Sequence, residues 1–401
     1  MVVVGAGACS AASDNGSPSA PTSTLPTSAA SSPSTPSAAT ATATSAGADT
    51  STASPAARST AGTAHGSVHV DRQIAADLNV PWGLALLPGG DLLVTSRDTR
   101  QVWRINLQSG DRTRLGQIGE ASSNGSSGGE GGLLGIAVSP DFSRNHRLFV
   151  YYSTDNDNRI ALLTYHPDRA SGSQLSRPTV ILKGIPHGLH HNGGRIAFGP
   201  DGMLYASTGE SGEPSLSQDK SSLGGKILRM TPAGKPAPGN PVAGSVMWSY
   251  GHRNVQGLAW DPAGRLWASE FGDRKADELN LIKPDHNYGW PDTQGKTDDD
   301  RFTGPVVEWG TEVDSPSGIA YASGSIWMAA LRGERLWRIP LDGTKVVGAP
   351  HTPEDFLKDE YGRLRSVLAL DDHTLLVTTS NTDNRATPRS GDDRILELTV
   401  H

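Results

Sequence analysis

One pattern recurs along the chain. A small residue is followed by Ile or Leu with Ala, then a Pro-Asp-Gly-like turn, then an apolar run that closes on small residues. The copies read WGLALLPGGDLLVTS from Trp82, LGIAVSPDFSRNHRLFVYYS from Leu134 and GRIAFGPDGMLYASTG from Gly194. They continue as QGLAWDPAGRLWASE from Gln256, SGIAYASGSIWMAA from Ser317 and RSVLALDDHTLLVTT from Arg365. The second halves lead with Leu92, Leu148, Leu204, Leu266, Ile326 and Leu375, at spacings of 56, 56, 62, 60 and 49. A period of this size marks a repeated unit that buries its faces only against its neighbours. Alternation of apolar with small or polar residues on either side of a turn is strand periodicity. A further strand follows each copy, as in VWRI (102–105), RIALLTY (159–165), KILRM (226–230), ELNLI (278–282), RLWRI (335–339) and RILEL (394–398). Four strands per unit, six times over, predict an all-β, six-bladed β-propeller. The segment 68–76 (VHVDRQIAA) is expected to join the last blade and close the ring, which removes exposed strand edges.

The propeller is expected to span 65–401, behind a different kind of sequence. Ser, Thr, Ala and Pro fill 43 of the 50 positions from 11 to 60, and Leu25 is the only large apolar residue there. Such a stretch buries too little surface to offset its ordering entropy, so 10–64 is expected to be a disordered linker. Residues 1–9 end in Gly-Ala-Cys9 after a short apolar run. That resembles the remnant of a bacterial lipoprotein signal, which implies a lipid on Cys9 and an extracytoplasmic location, secreted or anchored at the outer face of the membrane.

Charge and cysteine content exclude several classes. The net charge is −7, from 35 Lys and Arg against 42 Asp and Glu, so nucleic acid is not an expected partner. With Cys9 as the single cysteine there is neither a disulfide framework nor a cysteine zinc site.

Several polar clusters are not required by a propeller core. LHHNGGR places His190, His191, Asn192 and Arg195 at the entry to a blade. Strand alternation would turn the two histidines to opposite sides, and one of them suits a general base or a hydrogen-bonded loop position. YGHRNVQ sets His252, Arg253 and Asn254 before an apolar strand, and GEGGLLG sets Glu130 in a Gly run. Arg363 and Arg365 are two apart, hence on one strand face, and with Arg332 they suit a carboxylate-bearing ligand or a surface ion pair. SEFGDRKADEL gathers oxygen donors around Gly272 and Asp273, as a hard cation such as Ca²⁺ requires.

Taken in order, LNVPWGLA, GEGGLLGIA, HHNGGRIAFGPDGMLYASTGE, LGGKILRM, YGHRNVQGLAW, SEFG with DELNLI, NYGWP and GRLRSV resemble the soluble, PQQ-dependent aldose sugar dehydrogenases of the glucose/sorbosone dehydrogenase family. The resemblance runs from about Asp71 to the end of the chain. It implies a quinoprotein oxidoreductase that takes an aldose to its lactone with pyrroloquinoline quinone (PQQ) and Ca²⁺, and passes electrons to an acceptor the sequence does not identify. It implies that His191 is the base, that Arg253 polarises the cofactor with Asn254 beside it, and that Arg332, Arg363 and Arg365 hold the cofactor carboxylates. It also implies Ca²⁺ on the carbonyls of Gly272 and Asp273, with Glu130 and His190 near the sugar. The chain has Gly272-Asp273 where Gly-Pro is common, Glu130 for Gln, Arg332 for Lys, and His190 for Asp or Asn. Two other functions fit a propeller: a Ca²⁺-dependent lactonase, and a non-enzymatic cell-surface propeller that binds carbohydrate or protein. The first calls for a central cage of acidic and amide side chains rather than three arginines. Retention of His191 with Arg253, Arg363 and Arg365 argues against the second.

Overall fold

The computed structural model describes residues 61–63, 65–348 and 353–401. Each repeat folds into an antiparallel sheet, and six such sheets form the six-bladed propeller read from the sequence. The innermost strands are Pro81–Leu86, Leu133–Val138, Ile196–Phe198, Val255–Trp260, Pro316–Ala322 and Leu364–Ala369, for blades 1 to 6. They adjoin one another round a central channel, blade 6 meeting blade 1. The six residues that set the period, Leu92 through Leu375, are all buried.

Both faces of a blade are covered by neighbours, so the strands read as near-continuous apolar runs. Ser325–Ala330 (SIWMAA) is buried at every position. The core is accordingly divided. Among the described residues an apolar cluster fills each blade interface, for example Leu93, Val102, Leu133 and Ile136 between blades 1 and 2. Others join blades 2 and 3, 4 and 5, 5 and 6, 6 and 1, and 3 and 4. The ring closes as expected. Val68–Ala75 pairs antiparallel with Ile395–Val400, Val68 opposite Val400, so the N-terminal strand completes blade 6.

One boundary shifts. Gly62 and Thr63, assigned by composition to the linker, dock on blade 5: Gly62 N–H donates to Leu341 O (2.9 Å), and Arg338 Nη2 donates to Thr63 O (2.8 Å). The reason is the buried Arg338, which carries one carboxylate partner, Glu354 at 2.7 Å, and directs its other amine to this segment. The signal remnant at 1–9, Cys9 and the linker up to residue 60 lie outside the described residues.

Candidate active site

In every blade the innermost strand starts, and the second strand ends, at the same end of the ring, because the two run antiparallel. Residues just before the first and just after the second therefore meet over the channel mouth, although far apart in sequence. A cavity of about 390 Å³ opens there. Arg97, Arg332, Arg363, Arg365 and Arg385 line it, with Glu130, Trp82, Gln256 and Phe271. Four of the sequence-predicted residues are thus on one wall system: Glu130, Arg332, Arg363 and Arg365.

Arg363 and Arg365 converge as their spacing predicts, but they are buried, not a surface pair. Both address Asp383. Arg363 donates from Nε (3.1 Å) and Nη2 (3.0 Å), while Arg365 approaches at 3.5 Å and also donates to Ser380 Oγ (2.9 Å). Burial alone would raise the Asp383 carboxyl, but Arg363 and then Arg365 outweigh it and hold it below the usual carboxylate range. Burial also pushes Arg365 down to about 10, opposed by Asp383 and helped by Arg97 and Arg363. Arg97 pairs with Asp98 at 2.7 Å, and Arg385 with Glu130 at 3.2 Å.

The histidines sit otherwise than strand alternation suggested. The strand begins only at Ile196, so His190 and His191 lie in the preceding loop, ring centroids 6.2 Å apart. His191 has a left-handed backbone (φ 56°), fixed on both sides: its N–H donates to Glu130 Oε2 (2.9 Å), and its carbonyl accepts from Ser211 N–H (3.1 Å). A Cβ on Gly209 would collide with that same carbonyl, which explains a glycine before Glu210. His191 Nδ1 is hydrogen-bonded to the buried Glu210 carboxylate. Nδ1–H toward the carboxylate leaves Nε2 as the basic nitrogen, the arrangement a general base needs. His252 makes the contrast. It is fully buried with both ring nitrogens used, by Ser249 Oγ and Glu270 Oε2 at 2.8 Å each, and it stacks on Tyr288. His252 is therefore a packing histidine.

Glu130 has both oxygens engaged, one by His191 N–H and one by Arg385, so it positions the His191 loop rather than facing outward with free acceptors. His190 is half-buried and lies 3.3 Å from Arg385 and 3.8 Å from Glu130. Arg332 is exposed at the cavity rim.

Arg253, Gly272 and Asp273 come together as the sequence suggests, in a different arrangement. Arg253 Nη1 donates to Gly272 O, Nη2 reaches Asp273 Oδ1 (3.2 Å), and the guanidinium lies 5.2 Å from the Trp290 ring centroid. The Gly272 carbonyl expected to face a cation is thus taken by Arg253. No group of three or more His, Cys, Asp or Glu side chains is placed to hold a metal among the described residues. A Ca²⁺ here would depend on main-chain oxygens, the Asp273 carboxylate and oxygens from a ligand, because Ca²⁺ takes six to eight. Asn254 is fully buried; its Oδ1 accepts from Gly193 N–H (3.0 Å), so it ties the His191 loop to blade 4 instead of lining the cavity.

Buried polar groups without partners are rare in native proteins and call for an explanation. Four of those among the described residues gather here: Glu210 Oε2, Arg253 Nε, Asn254 Nδ2 and Trp290 Nε1. Residue spacing did not bring out Glu210, Asp383, Arg97 or Arg385. The available signal was positional: Glu270 ends the second strand of its blade and Glu210 follows the end of its own by three residues, and each accepts from a histidine of its own blade. Asp383 carried no such signal.

The family model for glucose/sorbosone dehydrogenases matches residues 78–387. The chain belongs to that family. Among solved structures, it is 57% identical to the PQQ-bound form of an aldose sugar dehydrogenase from Streptomyces coelicolor, with a TM-score of 0.82, covering 85% of this chain and 100% of that one. It is 30% identical over 312 residues to quinoprotein glucose dehydrogenase B of Acinetobacter calcoaceticus, which is 70% of this chain and 60% of that one. It is also 34% identical over 233 residues to the aldose sugar dehydrogenase YliI of Escherichia coli, 53% of this chain and 59% of that one. The chain thus spans about 60% of the length of these two curated relatives.

Proposed function

We propose that this protein is a PQQ-dependent aldose dehydrogenase that oxidises the anomeric carbon of a glucose-like sugar to the lactone. The observation that carries the reading is the convergence of five arginines on one cavity, whose lining residue Glu130 also accepts from His191 N–H. Three carboxylates, those of Asp98, Glu130 and Asp383, answer the five guanidinium groups, leaving two positive charges for an anionic ligand. PQQ, with three carboxylates, suits a site of this sign.

When bound, PQQ would supply the hydride acceptor, so the anomeric hydrogen would leave with the electron pair of its C–H bond and the hydroxyl proton would go to the protein. His191 Nε2 receives that proton. Glu210 keeps Nδ1 protonated and stabilises the imidazolium that results. Arg253, hydrogen-bonded to Gly272 and Asp273, would leave the Gly272 carbonyl to place its guanidinium where negative charge develops. Arg332, Arg363 and Arg365 bind carboxylates, and Glu130 holds His191 in place through its main chain. Ca²⁺ at Gly272 and Asp273 belongs to this proposal, and its first requirement is release of the Gly272 carbonyl by Arg253. The tail composition supports an extracytoplasmic location, with Cys9 as a lipid anchor.

The test is reconstitution. Apo-protein given PQQ and Ca²⁺ should reduce a dye acceptor with glucose, and Arg363→Ala should weaken PQQ binding by tens- to thousands-fold, as loss of a desolvated charge-assisted contact typically costs about 2–5 kcal/mol. No dye reduction together with no PQQ-induced rise in melting temperature would sink the reading.

A further inference from the structure

Below the cavity, Arg195 reaches across the channel from blade 3 to three other blades. Its Nε donates to Gln256 O of blade 4 (2.9 Å), Nη2 to Ser366 Oγ of blade 6 (3.1 Å), and Nη1 lies 3.5 Å from Trp82 O of blade 1. Its Cζ sits 4.3 Å from the Trp82 ring centroid. All three hydrogen-bond partners are neutral, and no carboxylate pairs with it among the described residues. The neighbouring charge is a like one, Arg365, whose guanidinium addresses the same Trp82 ring at 5.9 Å. Burial first, and Arg365 second, push Arg195 down to about 9, which marks how poorly this site tolerates the charge. A neutral donor would serve a purely structural tie across the channel at lower cost. Two of the three residues that Arg195 contacts, Trp82 and Gln256, themselves line the cavity.

We propose that Arg195 is an electrostatic part of the ligand site. Its charge is left without a partner in the protein so that an anion bound in the cavity above becomes its counter-ion. The proposal rests on the PQQ reading. Adding Arg195 to the five cavity arginines raises the excess over carboxylates from two to three, which is the charge of PQQ with its three carboxylates ionised. Arg195 then acts through space and through Trp82, as a positioning charge rather than a catalytic residue.

The experiment compares wild type, Arg195→Gln and Arg195→Lys as purified apo-proteins, by melting temperature and by calorimetric titration with PQQ, without turnover. Arg195→Gln should melt at or above wild type, because an unpaired charge has been removed from the channel, yet bind PQQ about tenfold more weakly or worse. Arg195→Lys, which keeps the charge but not the guanidinium fork, should bind to within a few-fold of wild type. Equal PQQ affinity in Arg195→Gln and wild type would overturn the proposal, and a large fall in apo melting temperature beside that equal affinity would make Arg195 a structural tie. If Arg195→Gln does not fold, Arg195→Lys decides: near-wild-type affinity supports the charge role and a tenfold loss overturns it. Wild type that melts normally and takes no PQQ would instead sink the parent reading, a result distinct from wild type that binds and a variant that binds equally.

Discussion

Replacing Asp383 with Asn tests the charge balance of the cavity wall. Asp383 is fully buried, and its carboxylate is the shared partner of Arg363 at 3.0 Å and Arg365 at 3.5 Å. The amide keeps the shape and removes the charge, so two buried guanidinium groups face each other without compensation. Breaking a buried pair in this way typically costs about 3–5 kcal/mol. In a domain this large that is roughly 5–10 °C of melting temperature. The deficit should depend on pH in a stated direction. The native Asp383 carboxyl is held below its ordinary value of 3.8, so its contribution is present above about 3.8 and is lost as pH falls through the lower native value. The gap between wild type and Asp383→Asn should therefore be full at pH 7 and shrink as pH drops below about 4. An anionic ligand that neutralises the freed arginines should restore part of the loss, so PQQ should raise the melting temperature of Asp383→Asn more than that of wild type. Thermal melts of apo-protein at several pH values, with and without PQQ, provide the assay. A variant that melts within about 1 °C of wild type at pH 7 would refute the reasoning, because the two arginines would then not depend on Asp383.

The other expectations are quickly stated. His191→Ala should lower turnover by about 10²–10⁴-fold with PQQ still bound, whereas His252→Ala should lower the melting temperature instead; the reverse pattern in paired kinetic and thermal measurements would mean that the roles are exchanged. Glu278 is buried beside Glu270 in blade 4, and burial first, then the Glu270 charge, push its carboxyl up to about 8. Ionising it costs stability as pH rises from the unfolded value of about 4.5 toward 8, so Glu278→Gln should melt higher than wild type at pH 8 and alike at pH 4; equal melts at both would show that Glu278 is not strained. Treatment with EGTA should abolish sugar-dependent dye reduction and Ca²⁺ should restore it, while full activity in protein shown by elemental analysis to be metal-free would remove the ion from the mechanism.

The repeat was legible in the chain because a blade covered on both sides must bury residues at fixed strand positions. Leu92, Leu148, Leu204, Leu266, Ile326 and Leu375 therefore announce six blades without any structure. Closure by the segment from Val68 was legible for a related reason, since an unpaired blade edge would be left otherwise. The pairing of Arg363 with Arg365 followed from strand period alone. The partners of these residues were not legible. Asp383, Arg97 and Arg385 occupy loops whose separations from Arg363 and Glu130 carry no period, and only ring closure brings blades 1, 2, 4, 5 and 6 to one cavity. The sequence offered His190 or His191 as a base. That His191 is the one whose Nδ1 meets a buried carboxylate, Glu210, is a contact made only in the folded blade. Local pattern thus determined the strands, and the charge and proton arrangement of the site was decided by the tertiary structure, because electrostatic partners meet through space and leave no spacing in the chain.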